Sequence, residues 1–139
     1  MTDPECPICQ KHRGEGPLVG PVIWEDDLVF VAHRATGSLG YAFVETQRHA
    51  PHLDDLTDAE AEAVGRVTAR LARGLCAELD VDFVHSAVLG MGVAHFHQHV
   101  FVRHANTPDT YAWWQAWPDA PQGDTDALAK RLHSYIAPA

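Results

Sequence analysis

Histidine occupies alternate positions in His95-Phe96-His97-Gln98-His99, and the run continues into Val100-Phe101. In an extended strand, residues i, i+2 and i+4 share a face, so the three imidazoles are expected to line one side over roughly 13 Å, at about 3.3 Å per residue. Phe96 and Val100 then point the other way. Such a strand needs a sheet with one face packed on a core and the other open to solvent or ligand. The apolar alternation predicts a strand over 94–103. Just upstream, Gly90-Met91-Gly92-Val93 forms a loop whose backbone N–H groups can approach an anion closely.

The remaining segments fit a sheet of that kind. Val22-Ile23-Trp24 and residues 28–32 flank an acidic turn at Glu25-Asp26-Asp27 and read as a hairpin. Gly37-Ser38-Leu39-Gly40 breaks the chain before a short apolar strand over 41–45. One long helix is expected over 58–79. Thr57 and Glu60 supply a capping box, and Val64, Val67, Leu71, Leu75 and Leu79 recur at spacings of three and four. Arg66, Arg70 and Arg73 fall off that stripe and read as a solvated face. Asp80-Val81-Asp82 ends the helix, and a strand follows over 83–89. Leu128, Leu132, Tyr135 and Ile136 predict a closing helix. Residues 1–21, rich in Pro and Gly, read as irregular, and 108–123 as a long loop. Strands around one long helix, without regular βαβ alternation, predict an antiparallel α+β fold. No linker or repeat divides the 139 residues, so a single domain over 1–139 is expected.

The formal charge is −9, from 10 Lys and Arg against 19 Asp and Glu. That balance disfavours binding to nucleic-acid polymers or anionic membranes, which are held by basic side chains. A small phosphate ligand is still allowed, since a few local donors suffice. No apolar run approaches the roughly 20 residues of a membrane span. The acidic start, Met1-Thr2-Asp3-Pro4-Glu5, lacks a signal-like apolar segment, so a cytoplasmic protein is expected.

The odd number of cysteines, Cys6, Cys9 and Cys76, argues against a disulfide framework. Cys76 lies in the long helical pattern and is expected to be a small buried residue. Cys6-Pro-Ile-Cys9 is half of a zinc site. A redox pair would be expected at the start of a helix in a βαβ setting, which is missing. Two histidines would complete a closed, structural site. His49 and His95 are the strongest candidates, with His52 as the alternative to His49.

Three readings of the histidine strand compete. The imidazoles can be exposed residues on a half-wet face, or ligands of a catalytic metal, although no carboxylate accompanies them on the strand. The preferred reading is nucleophilic catalysis. Neutral imidazole, with a reference pKa of about 6.5, can attack phosphorus, and a neighbouring imidazole can steady oxygens or protonate the leaving group. A cupin-like metal fold conflicts with the long helix.

The run His95-Phe96-His97-Gln98-His99-Val100-Phe101 resembles the signature of the histidine triad (HIT) superfamily. The likeness extends to Cys6-Pro-Ile-Cys9, Trp24-Glu25-Asp26-Asp27, Gln47-Arg48-His49 and the 53–58 segment, covering roughly residues 6–103. It implies a five-stranded antiparallel sheet with one long and one or more shorter helices, and a homodimer. It also implies nucleotide substrates, hydrolysed or transferred at the α-phosphate through a covalent nucleotidyl-histidine, as in phosphoramidases and dinucleoside polyphosphate hydrolases. By this resemblance His97 is the nucleophile, and His99 contacts the phosphate and assists the leaving group. Gly92 and Val93 offer backbone contacts, and Cys6, Cys9, His49 and His95 hold structural zinc.

The chain departs from the family pattern in four places. Gly40-Tyr41 stands where a Gly-His pair is frequent, and Leu89-Gly90-Met91-Gly92-Val93 lacks the usual Gln, with no Asn near Val84 to Ser86. Gln98 replaces an apolar residue, and the acidic ribose-binding residue of many members has no clear match near His33. These departures favour, as the alternative, a non-catalytic nucleotide- or partner-binding protein of the same fold. Trp113, Trp114 and Trp117 are expected either to seal the core or a dimer edge, or to line a ligand pocket.

Overall fold

A computed structural model describes residues 2–138. Five strands form one antiparallel sheet: β1 (Val22–Glu25), β2 (Val29–His33), β3 (Tyr41–Thr46), β4 (Val81–Ala87) and β5 (His97–His104), in the order β1-β2-β3-β5-β4. Helices α2 (Asp58–Glu78) and α3 (Thr125–Ile136) pack on one face, and α1 (Pro7–His12) precedes β1. This is the expected α+β architecture of five antiparallel strands with one long helix. Among the described residues, no helix is long and apolar enough to cross a membrane.

The core joins Ile23, Val29, Val31, Ala42, Val44, Phe96 and Val100 from the sheet side to Val64, Val67, Leu71 and Leu75 of α2 and Leu128, Leu132 and Ile136 of α3. The α2 stripe is therefore the buried one, with Leu79 packed at its end. Thr57 caps the helix by accepting from the Glu60 N–H, while the Glu60 carboxylate accepts from the Thr57 N–H. The same carboxylate takes two bonds from Arg48, which hold it below the usual carboxylate range and tie the β3–α2 connection to the helix start.

Several expectations need correction. Residues 7–12 are helical rather than irregular, with Cys6 as the N-cap and Pro7 in the first turn. Six residues are too few to show a helical period, while Pro at this position costs no hydrogen bond. The cysteine pair thus does start a helix, but one with no βαβ unit around it. Strand β5 begins at His97, so His95 and Phe96 lie just before the ladder, where the Phe96 N–H donates to Ala50 O at 2.7 Å. Cys76 is exposed. It follows Leu75 by one residue, which turns it about 100° away from the buried stripe.

The second face of the sheet carries His97 and His99. Register places Phe30 opposite Glu45 and Glu45 opposite His97, then Phe43 opposite His99, then Tyr41 opposite Phe101. Helix α1 lies over the first of these rows: His12 stacks on Phe30 at 4.1 Å, and Lys11 Nζ donates to Glu45 Oε2 at 2.6 Å. The loop after β5 covers the other end, with Trp113 stacked on Phe101 at 6.1 Å. His97 and His99 lie between the two covers.

Candidate active site and metal centre

Cys6 and Cys9 from the start of α1, His49 from the segment after β3 and His95 from the approach to β5 converge, their ligand atoms all within 4.8 Å of one another. His95 Nδ1 is 3.5 Å from Cys6 Sγ and 3.4 Å from Cys9 Sγ; His49 Nδ1 is 3.5 Å from Cys9 Sγ and 3.3 Å from His95 Nδ1. A tetrahedral zinc with Zn–N of about 2.05 Å and Zn–S of about 2.3 Å has edges of about 3.3 Å between nitrogens and about 3.6 Å between nitrogen and sulfur. The donor set and its spacing therefore fit zinc, and four protein ligands leave no open position, as in a structural site. His52 is exposed and stands outside the cluster.

The surroundings prepare these ligands. His95 Nε2–H donates to Thr46 O at 2.7 Å, which leaves Nδ1 free for metal, and burial lowers its pKa to about 4, keeping the ring neutral. Burial raises the Cys9 pKa, a cost that a bound cation offsets. His49 Nε2 lies 3.8 Å from Asp3 Oδ2.

His97 does not join this cluster. Its Nδ1–H donates to His95 O at 2.7 Å, so Nε2 of the neutral ring carries the lone pair. His99 lies beside it, ring centroids 5.3 Å apart, with Nδ1 2.7 Å from Tyr41 Oη. Burial first, and the neighbouring His97 second, hold the His99 pKa below that of a free imidazole. Two cavities flank the pair. One, of about 220 Å³, is lined by His52, Asp54, Gly90, His95 and His97. The other, of about 310 Å³, is lined by Arg34, Tyr41, His99, Phe101, Trp113 and Trp117. Of the three histidines only His95 lies in the cysteine cluster, so a single metal held by all three does not match this arrangement.

The HIT domain profile matches residues 19–106, more than half of the chain. The chain belongs to the HIT family. A zinc-bound histidine triad family protein from Mycobacterium smegmatis is similar in structure, with TM-score 0.72 and 20% identity over 95% of this chain and 93% of that one. A HIT-like protein from Bartonella henselae described as involved in cell-cycle regulation has TM-score 0.75 and 16% identity, covering 97% and 98% of the two chains. A hypothetical histidine triad nucleotide-binding protein from Sulfolobus tokodaii has TM-score 0.72 and 18% identity over 94% and 91%. No curated protein matches the sequence. At these identities the solved structures speak for the fold, while the profile establishes the family, one of nucleotide-binding hydrolases and transferases. The matched region begins after Cys6 and Cys9, so the metal half-site lies outside it.

Around this HIT core the structure shows residues that the sequence reading left unassigned. Glu45, almost wholly buried opposite His97, accepts from Lys11 at 2.6 Å and pairs with His12 at 3.0 Å. Burial alone would raise its pKa, but the His12 bond and Lys11 outweigh that and keep it a carboxylate. The network binds α1 to β3 beside the metal cluster, where the His12 ring meets that of His95 edge-on at 5.4 Å. His33 joins Gly40 N–H to Arg34 O, His104 bonds Leu39 O, and His133 bonds Ile23 O, so these three rings brace loops and a helix. Gly92 is exposed, and Val93 packs on the Cys6-Ile8-Cys9 cluster. Trp113 and Trp114 are 52% and 66% exposed and line the larger cavity, so within one chain they do not seal the core.

Proposed function

We propose that this HIT-family chain hydrolyses or transfers nucleotides at the α-phosphate through a covalent intermediate on His97. One observation carries the reading: the His97 Nδ1–H is committed to His95 O, which leaves Nε2 as the half-buried nitrogen that can attack, beside a second imidazole. Nε2 attacks phosphorus, the N–P bond forms as the bond to the leaving group breaks, and a proton passes from His99 Nε2 to the departing atom. Water then attacks phosphorus, returns a proton to His99 and frees His97, giving a nucleoside monophosphate. Gly92 and Val93 are proposed to offer backbone N–H groups to phosphate oxygens. Bound zinc supplies structure: Cys6, Cys9, His49 and His95 fix the segment whose carbonyl sets the His97 tautomer. The aromatic lining of the larger cavity, beside His99, suits the base or the leaving group.

The test is a trapped intermediate. Protein is mixed with an α-labelled adenosine phosphoramidate or dinucleoside polyphosphate and quenched in base, in which phosphohistidine survives. Label is expected on the wild type and absent from His97→Ala. An unlabelled wild type that binds nucleotide without turning it over would support the alternative, a binding protein, which the Gly40-Tyr41 and Leu89–Val93 departures favour.

We also propose that two copies associate. Strand β4 is a sheet edge, and Phe83 on it is 61% exposed, an apolar edge of the kind that pairing covers. Sedimentation velocity is expected to show a dimer, with Phe83→Lys shifting it toward monomer; a wild-type monomer at micromolar concentration would contradict this.

A further inference from the structure

Tyr41 stands at the first position of β3, facing Phe101 across the ladder. Its ring stacks on Phe101 at 5.2 Å and 13°, and the Arg34 guanidinium sits 4.2 Å from its centroid. Gly40 fixes where the strand begins. It has φ +92°, and a Cβ there would meet Val102 Cγ2 at 2.6 Å, so a larger residue would displace the start of β3. The phenol is thus held by backbone and ring contacts on a site where its oxygen reaches His99 Nδ1 at 2.7 Å.

That bond has a direction. Burial raises the Tyr41 pKa, so the phenol keeps its proton, and burial lowers that of His99, so the ring is neutral. Two neutral groups share one hydrogen bond. If His99 donated from Nδ1, the phenolic hydrogen would need an acceptor of its own; among the described residues, Tyr41 Oη has only His99 as a hydrogen-bond partner. Donation from Tyr41 satisfies both groups.

We infer that Tyr41 is a positioning residue: its hydroxyl donates to His99 Nδ1 and so places the His99 proton on Nε2, the nitrogen that protonates the leaving group. The inference rests on the proposed role of His99 and deepens it. In this reading the two imidazoles are set as complementary tautomers by different acceptor and donor groups. His97, donating to a carbonyl, is protonated at Nδ1 and bare at Nε2. His99, accepting from a phenol, is bare at Nδ1 and protonated at Nε2. Nucleophile and acid are assigned before substrate arrives. With its pKa raised by burial, the Tyr41 phenol keeps its proton at neutral pH and so remains able to donate.

The test reads the tautomer directly. Zinc-loaded, 15N-labelled protein is examined by long-range proton–nitrogen correlation, with the His99 signals assigned by their loss in His99→Gln. The wild type is expected to show a protonated Nε2 and an unprotonated Nδ1. Tyr41→Phe, which keeps the ring but removes the donor, is expected to populate the Nδ1–H form. On a substrate that the wild type turns over, the same change should lower kcat by roughly 10-fold, a fraction of what general-acid catalysis supplies, with KM moving less than about 2-fold. Tyr41→His, which restores an N–H donor, should recover most of that loss. An Nδ1–H tautomer in the wild type, or an unchanged His99 spectrum in Tyr41→Phe, would overturn the inference. If no substrate is turned over, the proposed reaction fails while the spectra still decide the role of Tyr41.

Discussion

Cys9→Ala is expected to abolish tight zinc binding and release α1 while α2, α3 and the sheet keep their fold. Structural zinc in small peptides contributes an apparent ~10–16 kcal/mol, as much as the whole stability of a typical domain. Where that loss falls depends on what the ligands join. The four donors come from α1, the segment after β3 and the approach to β5. The apolar contacts of α1 form a cluster of their own, Cys6, Ile8 and Cys9 with Val93, separate from the core under α2 and α3. Without metal, α1 retains the Lys11 and His12 bonds to Glu45 and the stack of His12 on Phe30, which are too few to order a six-residue helix. Metal analysis should fall from one zinc per chain, and hydrogen exchange should show lost protection in 7–12 and 93–97 with α2 unchanged. Affinity should drop by more than the roughly 10–100-fold that loss of an outer-shell partner costs. His52→Ala should keep its zinc. A Cys9→Ala protein with full metal content, or one that loses α2 protection together with α1, would refute this division.

The elements legible in the sequence were those with enough repeats to show a period. Helix α2 runs 21 residues, so its stripe recurs several times and its capping box stands out. Helix α1 offers no such repetition, and its order depends on partners from distant segments, above all His95 and Glu45. Cys76 shows the limit of reading a helix as simply apolar. The residue next to a buried leucine belongs to another face, and only the angular position decides its burial. The end of β5 was well placed by its alternation, but its start was not. His95 and Phe96 continue the alternating pattern, yet their geometry is set by the metal cluster and by Ala50 rather than by a neighbouring strand.

The site was legible where the chemistry is written in residue types that have few other uses together. Two cysteines and a histidine strand narrow the metal ligands to a short set, and the fold chooses His49 over His52. Glu45 was not found, although a signal existed: it alternates with Ala42 and Val44 in β3, which puts an acid on the face that His97 shares. Its partners, Lys11 and His12, come from a stretch with no readable structure, so the pairing could not be inferred. In the sequence, Tyr41 marks only the place where a Gly-His pair is frequent. Only the 2.7 Å contact shows that a hydrogen-bonding group remains at that position.

His97→Ala is expected to lower kcat by about 10⁴-fold or more, and His99→Ala by about 10²–10⁴-fold, on the best phosphoramidate or dinucleotide substrate. The difference follows from the role proposed for each ring. Without His97 no atom is placed to form the covalent intermediate, and what remains is whatever binding and backbone donors give to direct attack by water. Without His99 the nucleophile is still set by His95 O, but the leaving group departs unprotonated. A substrate with a very good leaving group should therefore rescue His99→Ala and leave His97→Ala unchanged. The double variant should be little worse than His97→Ala alone, because an acid with no nucleophile to serve contributes almost nothing. Losses that multiply in the double variant would mean that the two imidazoles act independently, and His97 would then be a phosphate-binding residue rather than the attacking group. Equal rescue of both single variants by a better leaving group would point the same way. Retention of label on the His97→Ala protein would move the covalent step to another side chain altogether.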